Sequence, residues 1–265
     1  MSPQIFAAAL AGLALPMLGH AGTCSRHSPA HTVALVELYT SEGCSSCPPA
    51  DRWLGALPRR FSADEVVPLA LHVDYWDYLG WRDPFAAPQF TARQRALSRS
   101  GGRNFVYTPA VFAGMKEFRG WSDHDGFAQR VRSINARPAR ADIALELDEA
   151  QRGTAALTAR FRVPVAADRA ADLQGIVVLY ENRLTSEIRA GENRGETLRH
   201  DFVVRYWSAP VAIDPRDGRA ELRADIDVPA RWNRDRLGVA AFVQAAQSAD
   251  VLQAVAMPGC SASSG

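Results

Sequence analysis

A pair of cysteines two residues apart, placed where a buried strand gives way to a helix, constrains this chain more than any other feature. Thr32-Val-Ala-Leu-Val-Glu-Leu-Tyr39 is a continuous apolar run rich in β-branched residues, the composition of a strand covered on both faces. It breaks at Ser41-Glu-Gly-Cys44, and helical signals resume after Cys47. Pro48 and Pro49 are tolerated only in a first turn, and Trp53, Leu54 and Leu57 follow at i, i+1 and i+4. A cysteine at such a junction meets unpaired backbone N–H groups and the positive end of the helix dipole, which favour thiolate over thiol. Cys44 is therefore the candidate nucleophile, and Cys47, one helical turn on and expected to be more buried, the resolving thiol. An inert local disulfide or a chance pair is the alternative reading of the same spacing.

The surrounding pattern is that of an α/β unit. Residues 66–73 form a second apolar run, 87–100 a helix stopped by Gly101-Gly102, 110–113 with 117–121 a short hairpin, and 123–135 a third helix capped by Ser122 or Asp123. The order is β-α-β-α-β-β-α, spanning residues 30–137. Beyond the polar link Arg137-Pro-Ala-Arg-Ala141, period-two alternation replaces helical periodicity. Ile143, Leu145 and Leu147 alternate with polar or small residues, and Gln151-Arg-Gly153 turns the chain into a partner strand at 155–163. Further strands are expected at 175–180, 197–207, 219–228 and 237–245. Six or seven strands in this stretch predict a mostly antiparallel β-sandwich over residues 142–257.

Charge excludes one class of partner. Thirty Lys and Arg face 29 Asp and Glu, a net charge of +1, so there is no basic excess for nucleic acid. Residues 1–21 carry no charged side chain and contain Ile5-Phe-Ala-Ala-Ala-Leu-Ala-Gly-Leu-Ala-Leu15, the core of a signal peptide and too short for a comfortable membrane span. No later apolar run approaches 18 residues. The mature chain is expected to have no membrane span and to be periplasmic or secreted, where disulfides persist. Four cysteines allow three pairings. Cys24 and Cys260 lie near the two mature ends and are expected to form a structural disulfide, the alternative being free thiols in loose tails. A second CxxC is absent, which excludes a four-cysteine zinc ribbon.

Several blocks together resemble a known family. Val36-Glu-Leu-Tyr-Thr-Ser-Glu-Gly-Cys-Ser-Ser-Cys-Pro-Pro-Ala-Asp51, Leu71-His-Val-Asp-Tyr-Trp-Asp-Tyr-Leu-Gly-Trp-Arg-Asp-Pro-Phe85, Phe90-Thr-Ala-Arg-Gln-Arg95, Val106-Tyr-Thr-Pro109 and Gly191-Glu-Asn-Arg-Gly-Glu-Thr-Leu-Arg-His200 are similar to the DUF1223 family of exported bacterial proteins. The resemblance implies a thioredoxin-like N-terminal domain and a redox dithiol at Cys44 and Cys47. Laid against thioredoxins generally, Thr108-Pro109 matches the Thr-Pro whose cis bond sets backbone beside the dithiol for a substrate strand, unless Pro109 is an ordinary trans turn proline. Glu37 lies on the strand where thioredoxins hold a buried acid, which would take the Cys47 proton, unless it is an edge or salt-bridged glutamate. Two departures from thioredoxins are that no Trp precedes Cys44 and that the prolines follow Cys47.

Asp74 to Phe85 is dense in aromatics. At the carboxyl end of a strand it falls on the dithiol's edge of the sheet, so Tyr75, Trp76 and Trp81 are expected either to bind substrate as a lid or to plug a seam. The functional expectation is a thiol–disulfide oxidoreductase acting on protein or small-molecule thiols and disulfides, with no cofactor and no resident metal implied. Two alternatives stand beside it. One is a Cu(I)- or Zn(II)-binding protein using the CxxC with His72 and Asp74; the other is a non-catalytic periplasmic binding module.

Overall fold

The computed structural model describes residues 23–148, 153–165, 172–247 and 250–259. In chain order the elements are β1 (Thr23–His27), β2 (Ala34–Thr40), α1 (Pro48–Ala56), β3 (Val66–His72), α2 (Pro88–Ser100), β4 (Ala110–Ala113), β5 (Lys116–Glu117), α3 (His124–Asn135), β6 (Asp142–Asp148), β7 (Thr154–Arg162), β8 (Leu173–Glu181), β9 (Leu184–Glu187), β10 (Thr197–His200), β11 (Val203–Trp207), β12 (Val211–Ala212), β13 (Arg219–Asp227), β14 (Leu237–Ala245) and β15 (Val251–Pro258). The fold is mixed α/β with several sheets.

Every residue of β2 and β3 is buried, because the two strands lie parallel in the middle of a sheet covered on both faces. Their side chains alternate between two cores. Val36, Leu38 and Ala70 pack with Ala50 and Leu54 of α1 and with Phe127 and Ile134 of α3. Leu35, Tyr39, Leu69 and Leu71 pack on the opposite face with Phe90 and Leu97 of α2. The helix starts follow local chemistry. Pro48 and Pro49 occupy the first turn of α1, where no amide hydrogen is needed. Asp123 caps α3 by accepting hydrogen bonds from the Asp125 and Gly126 amides, an arrangement worth about 1 kcal/mol.

The second half does not form a sandwich of its own. One long sheet runs in the order β15-β14-β8-β11-β3-β2-β4-β5, with β12 pairing β8. The junction is β11, which lies parallel to β3 with Val203 opposite Ala70 and antiparallel to β8. The strand expected over 197–207 is broken to make this possible. Phe202 takes φ 58°, its amide donates to Asn182 Oδ1, and Asp201 accepts from the Arg183 amide. β10 thus stays in a two-stranded ribbon with β9, while β11 enters the main sheet.

The antiparallel sheet β1-β6-β7-β13 covers one face of this extension, burying Ile143, Leu145, Leu157 and Phe161 against Val177, Leu179, Val239 and Val243. The other face of β8 and β14 joins the α2 core through Ile176, Val178, Tyr180 and Phe242. Burial on both faces explains why these strands read as continuous apolar runs. No helix of the described residues is long and apolar enough to cross a membrane. Residues 1–21 lie outside the described residues, and so does Cys260, hence the expected Cys24–Cys260 bridge; Cys24 itself sits on β1 opposite Leu147.

Candidate functional site

The sequence Gly43-Cys44-Ser-Ser-Cys47 folds as two tight turns running into α1. The Cys44 amide donates to Ser41 O, and the Cys47 amide to Cys44 O. Cys47 is the N-cap residue of α1, its carbonyl accepting from the Ala50 and Asp51 amides. Cys44 and Cys47 are bridged, with Cα atoms 5.5 Å apart. Contrary to expectation, Cys47 is not the only deeply buried member: the two are 1% and 0% exposed, beneath the exposed Ser45 and Ser46. Cys44 Sγ lies 3.3 Å from Ser46 Oγ, which in turn reaches Thr108 O at 3.5 Å. The Thr108–Pro109 peptide is cis. Cys44, Cys47 and Thr108-Pro109, far apart in sequence, therefore meet at one end of the sheet.

Two loops close over the bridge. Asn193, buried, donates from Nδ2 to Glu42 O at 2.8 Å and to Cys44 O at 3.0 Å. The Ser45 amide donates to Glu192 Oε2 at 3.0 Å, and this bond holds the Glu192 carboxyl below its ordinary range. From the other side Trp76 approaches so closely that a Cβ on Gly43 would meet Trp76 Cβ at 3.0 Å. Gly191, with φ +75°, packs its backbone against Trp81. The polar tips of the aromatic loop are engaged internally. Trp76 Nε1 donates to Thr108 Oγ1 and Trp81 Nε1 to Glu42 Oε2, both at 2.7 Å. The Tyr75 hydroxyl donates to Gln94 Oε1, and burial raises its pKa to about 12. Tyr78, by contrast, is 77% exposed.

Glu37 is not the acid beside the dithiol. Strand alternation puts it on the α2 face, with Leu35 and Tyr39, where Arg93 grips it through Nε and Nη2, the latter at 2.6 Å. Tyr39 donates to its other oxygen at 2.8 Å. Burial pushes the Arg93 guanidinium toward neutrality, but Glu37 outweighs this and keeps it charged. The salt-bridged glutamate is what forms.

The α1 side of the sheet holds a different set of acids. Glu42, Asp51, His72, Asp83 and His200 are all buried. His72 Nδ1 lies 2.7 Å from Asp83 Oδ2, which also accepts from the Glu42 amide. Burial pushes the His72 imidazole down and Asp83 more than reverses it, so its pKa is raised; burial likewise pushes Asp83 up, and His72 holds it low. His200 Nε2 is 3.2 Å from Glu42 Oε1 and its Nδ1 is 3.6 Å from Asp51 Oδ2, ion-pair distances with neither contact in line for a hydrogen bond. The Asp51 carboxyl is raised by burial, against the opposing pull of His200 and His72.

His72 and Asp74, read as two ligands on one strand face, diverge. His72 turns to Asp83, whereas Asp74 accepts from Thr91 Oγ1 on α2 at 2.6 Å. Among the described residues no group of three or more His, Cys, Asp and Glu side chains is arranged to hold a metal ion. Asp51, Glu42, Asn193 and His200 were not singled out from the sequence. Each nevertheless falls inside a block that carries the family resemblance, which is the one signal that could have found them.

The fold has solved counterparts. Protein AGR_C_4864 from Agrobacterium tumefaciens is similar over 86% of this chain and 96% of its own, at 24% identity and a TM-score of 0.57. HBP35 of Porphyromonas gingivalis is similar over 87% of this chain and 76% of its own, at 14% identity and a TM-score of 0.65. At these identities the likeness is one of fold. No curated protein matches the chain. Residues 35–244 match the family described as "Protein of unknown function (DUF1223)", and the chain belongs to that family.

Proposed function

We propose that this chain is an exported thiol–disulfide oxidoreductase working through Cys44 and Cys47, carried on a thioredoxin-like unit built from β2 to α3. The observation that carries the reading is the bridge itself: a CxxC disulfide at the N-terminus of α1, beside the backbone of Thr108-Pro109. The sheet order β3-β2-β4-β5, with α1 and α3 on one face and α2 on the other, supports the thioredoxin-like reading. A bridged pair and the apolar leader-like stretch of residues 1–21 both fit an oxidising, periplasmic or extracellular setting.

In the oxidising direction a substrate thiolate attacks Cys44 Sγ, the Cys44–Cys47 bond breaks, and its electron pair leaves on Cys47. A second substrate thiolate then displaces Cys44, which completes the substrate disulfide and leaves the protein with two reduced cysteines. The reverse sequence reduces a substrate disulfide. The helix N-terminus stabilises the Cys44 thiolate in either direction. Because Cys44 lies under the Asn193 loop, that loop moves before a substrate reaches the sulfur. Trp76 and Trp81, backed by Tyr75, then line the opened path.

The experiment is to express Cys47→Ser in the cell that exports the protein and look for mixed disulfides. Adducts through Cys44 that a reductant releases, and that are missing from Cys44→Ser, are the expected result. A Cys47→Ser protein that captures no partner overturns the reading.

A further inference from the structure

A disulfide opened inside a protein raises a proton problem. Cys47 is fully buried, so the thiolate released there has no water to solvate it. The proton that neutralises it must come from within. The groups packed against α1 offer one source. Asp51 follows Cys47 by four residues, one helical turn, so the two side chains share a face with Cβ atoms roughly 5–6 Å apart. Asp51 is itself buried, and its Oδ1 has no hydrogen-bond partner. Neither ring nitrogen of His200, 1% exposed, is hydrogen-bonded, although Asp51 and Glu42 lie on either side of it. Buried polar atoms left without partners are costly and are kept where a function needs them.

We propose that Asp51 holds the proton that is delivered to Cys47 Sγ when the bridge opens, with His200 stabilising the carboxylate left behind. The inference rests on the redox reading above. In the step, the substrate thiolate bonds to Cys44 Sγ, the Cys44–Cys47 electron pair passes to Cys47 Sγ, and the Asp51 carboxyl proton follows it. The products are a mixed disulfide at Cys44, a Cys47 thiol and an Asp51 carboxylate. On reoxidation the proton returns to Asp51.

The charged and titratable neighbours favour this assignment. Facing Asp51 are His200 from β10, His72 from β3, Asp83 from the loop after β3 and Thr40 from the end of β2, with Glu42 on the far side of His200. Asp83 is committed to His72 and to the Glu42 amide, and Glu42 Oε2 to Trp81. Asp51 has only the Thr40 hydroxyl and the offset His200 ring beside it, with Oδ1 unpartnered, and burial favours its protonated form over their opposing pull.

The test is the rate at which reduced glutathione opens Cys44–Cys47 in the folded protein, divided by the glutathione thiolate concentration and followed against pH. The wild-type constant should fall as pH rises through the Asp51 titration. Asp51→Asn should lose this fall and be slower by about 100-fold on the low-pH side, as expected for loss of a general acid. Asp51→Glu should restore the slope. Infrared difference spectra of the unsubstituted protein supply a second readout: the carbonyl stretch of a protonated carboxyl should disappear on reduction. A folded Asp51→Asn protein with the wild-type profile, or spectra without a carboxyl change, would overturn the proposal. A wild-type bridge that opens at no pH while the protein is folded would overturn the redox reading as well, and so is told apart from failure of the Asp51 assignment alone.

Discussion

The Glu37–Arg93 pair and the His72–Asp83 pair occupy opposite faces of the same sheet and have different consequences. Glu37 sits 1% exposed against a guanidinium whose other partners are Gln244 Oε1, Met115 Sδ and the rings of Trp207 and Phe242. Removing the carboxylate leaves Arg93 largely buried and uncompensated, so Glu37→Ala should cost about 3 kcal/mol of stability while leaving the rate of dithiol exchange unchanged. Denaturant unfolding and glutathione exchange on the one variant separate the two effects. His72–Asp83 governs pH dependence instead. The raised His72 contributes stability that is full below its ordinary 6.5 and lost as pH climbs through the folded value. The lowered Asp83 contributes stability that is full above its ordinary 3.8 and lost as pH falls through its folded value. The pair's contribution is therefore greatest between 3.8 and 6.5. Melting temperatures of wild type and Asp83→Asn should differ most in that window and converge toward both extremes. Which face each acid occupies follows from strand parity: Glu37 shares its face with Leu35 and Tyr39, so its neighbours were readable. That those neighbours lie under α2 and not α1 was not, because it depends on which helix the sheet folds beneath.

Among the elements, the loop from Gly191 to Gly195 has the most direct hold on the bridge. One side chain, Asn193, satisfies two carbonyls of the Cys44 turn, and Glu192 satisfies the Ser45 amide. Asn193→Ala should free this clamp and raise the rate at which a small thiol opens Cys44–Cys47 by about tenfold, equivalent to roughly 1.4 kcal/mol, within the range for one lost hydrogen-bonding group. Alkylation after timed glutathione pulses measures it, and an unchanged rate would show that access is set elsewhere. The order β2-α1-β3-α2-β4-β5-α3 was legible because each element carries its own periodicity and its own boundary signal, such as Pro48-Pro49 and Asp123 at helix starts and Gly101-Gly102 at a helix end. The loop's closure over a cysteine 149 residues away left no local trace. β15 was missed as well, and the 197–207 run was read as one strand because its break at Asp201-Phe202 is held by partners from elsewhere in the chain: Asn182 Oδ1 accepts from the Phe202 amide, and the Arg183 amide donates to Asp201.

Across the whole molecule, the consequence of β11 lying beside β3 is that the two halves share a sheet and a core. Ile176, Val178, Tyr180 and Phe242 from the second half fill the space under α2 together with Leu69, Leu71 and Phe90 from the first. A fragment of residues 30–137 would expose that face and leave β3 as an open edge, so it should fail to fold, while the full chain should unfold in one calorimetric transition. Two separate transitions, or a folded fragment by circular dichroism, would contradict this coupling. The alternating pattern after residue 142 announced a β-rich half but carried nothing about whose sheet its strands would join, since pairing partners are chosen by the whole fold. The shared architecture bears on function through the bridge, which is built by the first half and covered by the second. The redox role proposed for it is tested most directly by holding the folded, unsubstituted protein in glutathione buffers of graded potential, quenching by alkylation, and quantifying Cys44 and Cys47 by mass spectrometry. The pair should equilibrate reversibly at a defined potential, with glutathione trapped on Cys44 and not on Cys47; a bridge that exchanges only after the protein is denatured would make it a structural disulfide and contradict the assignment.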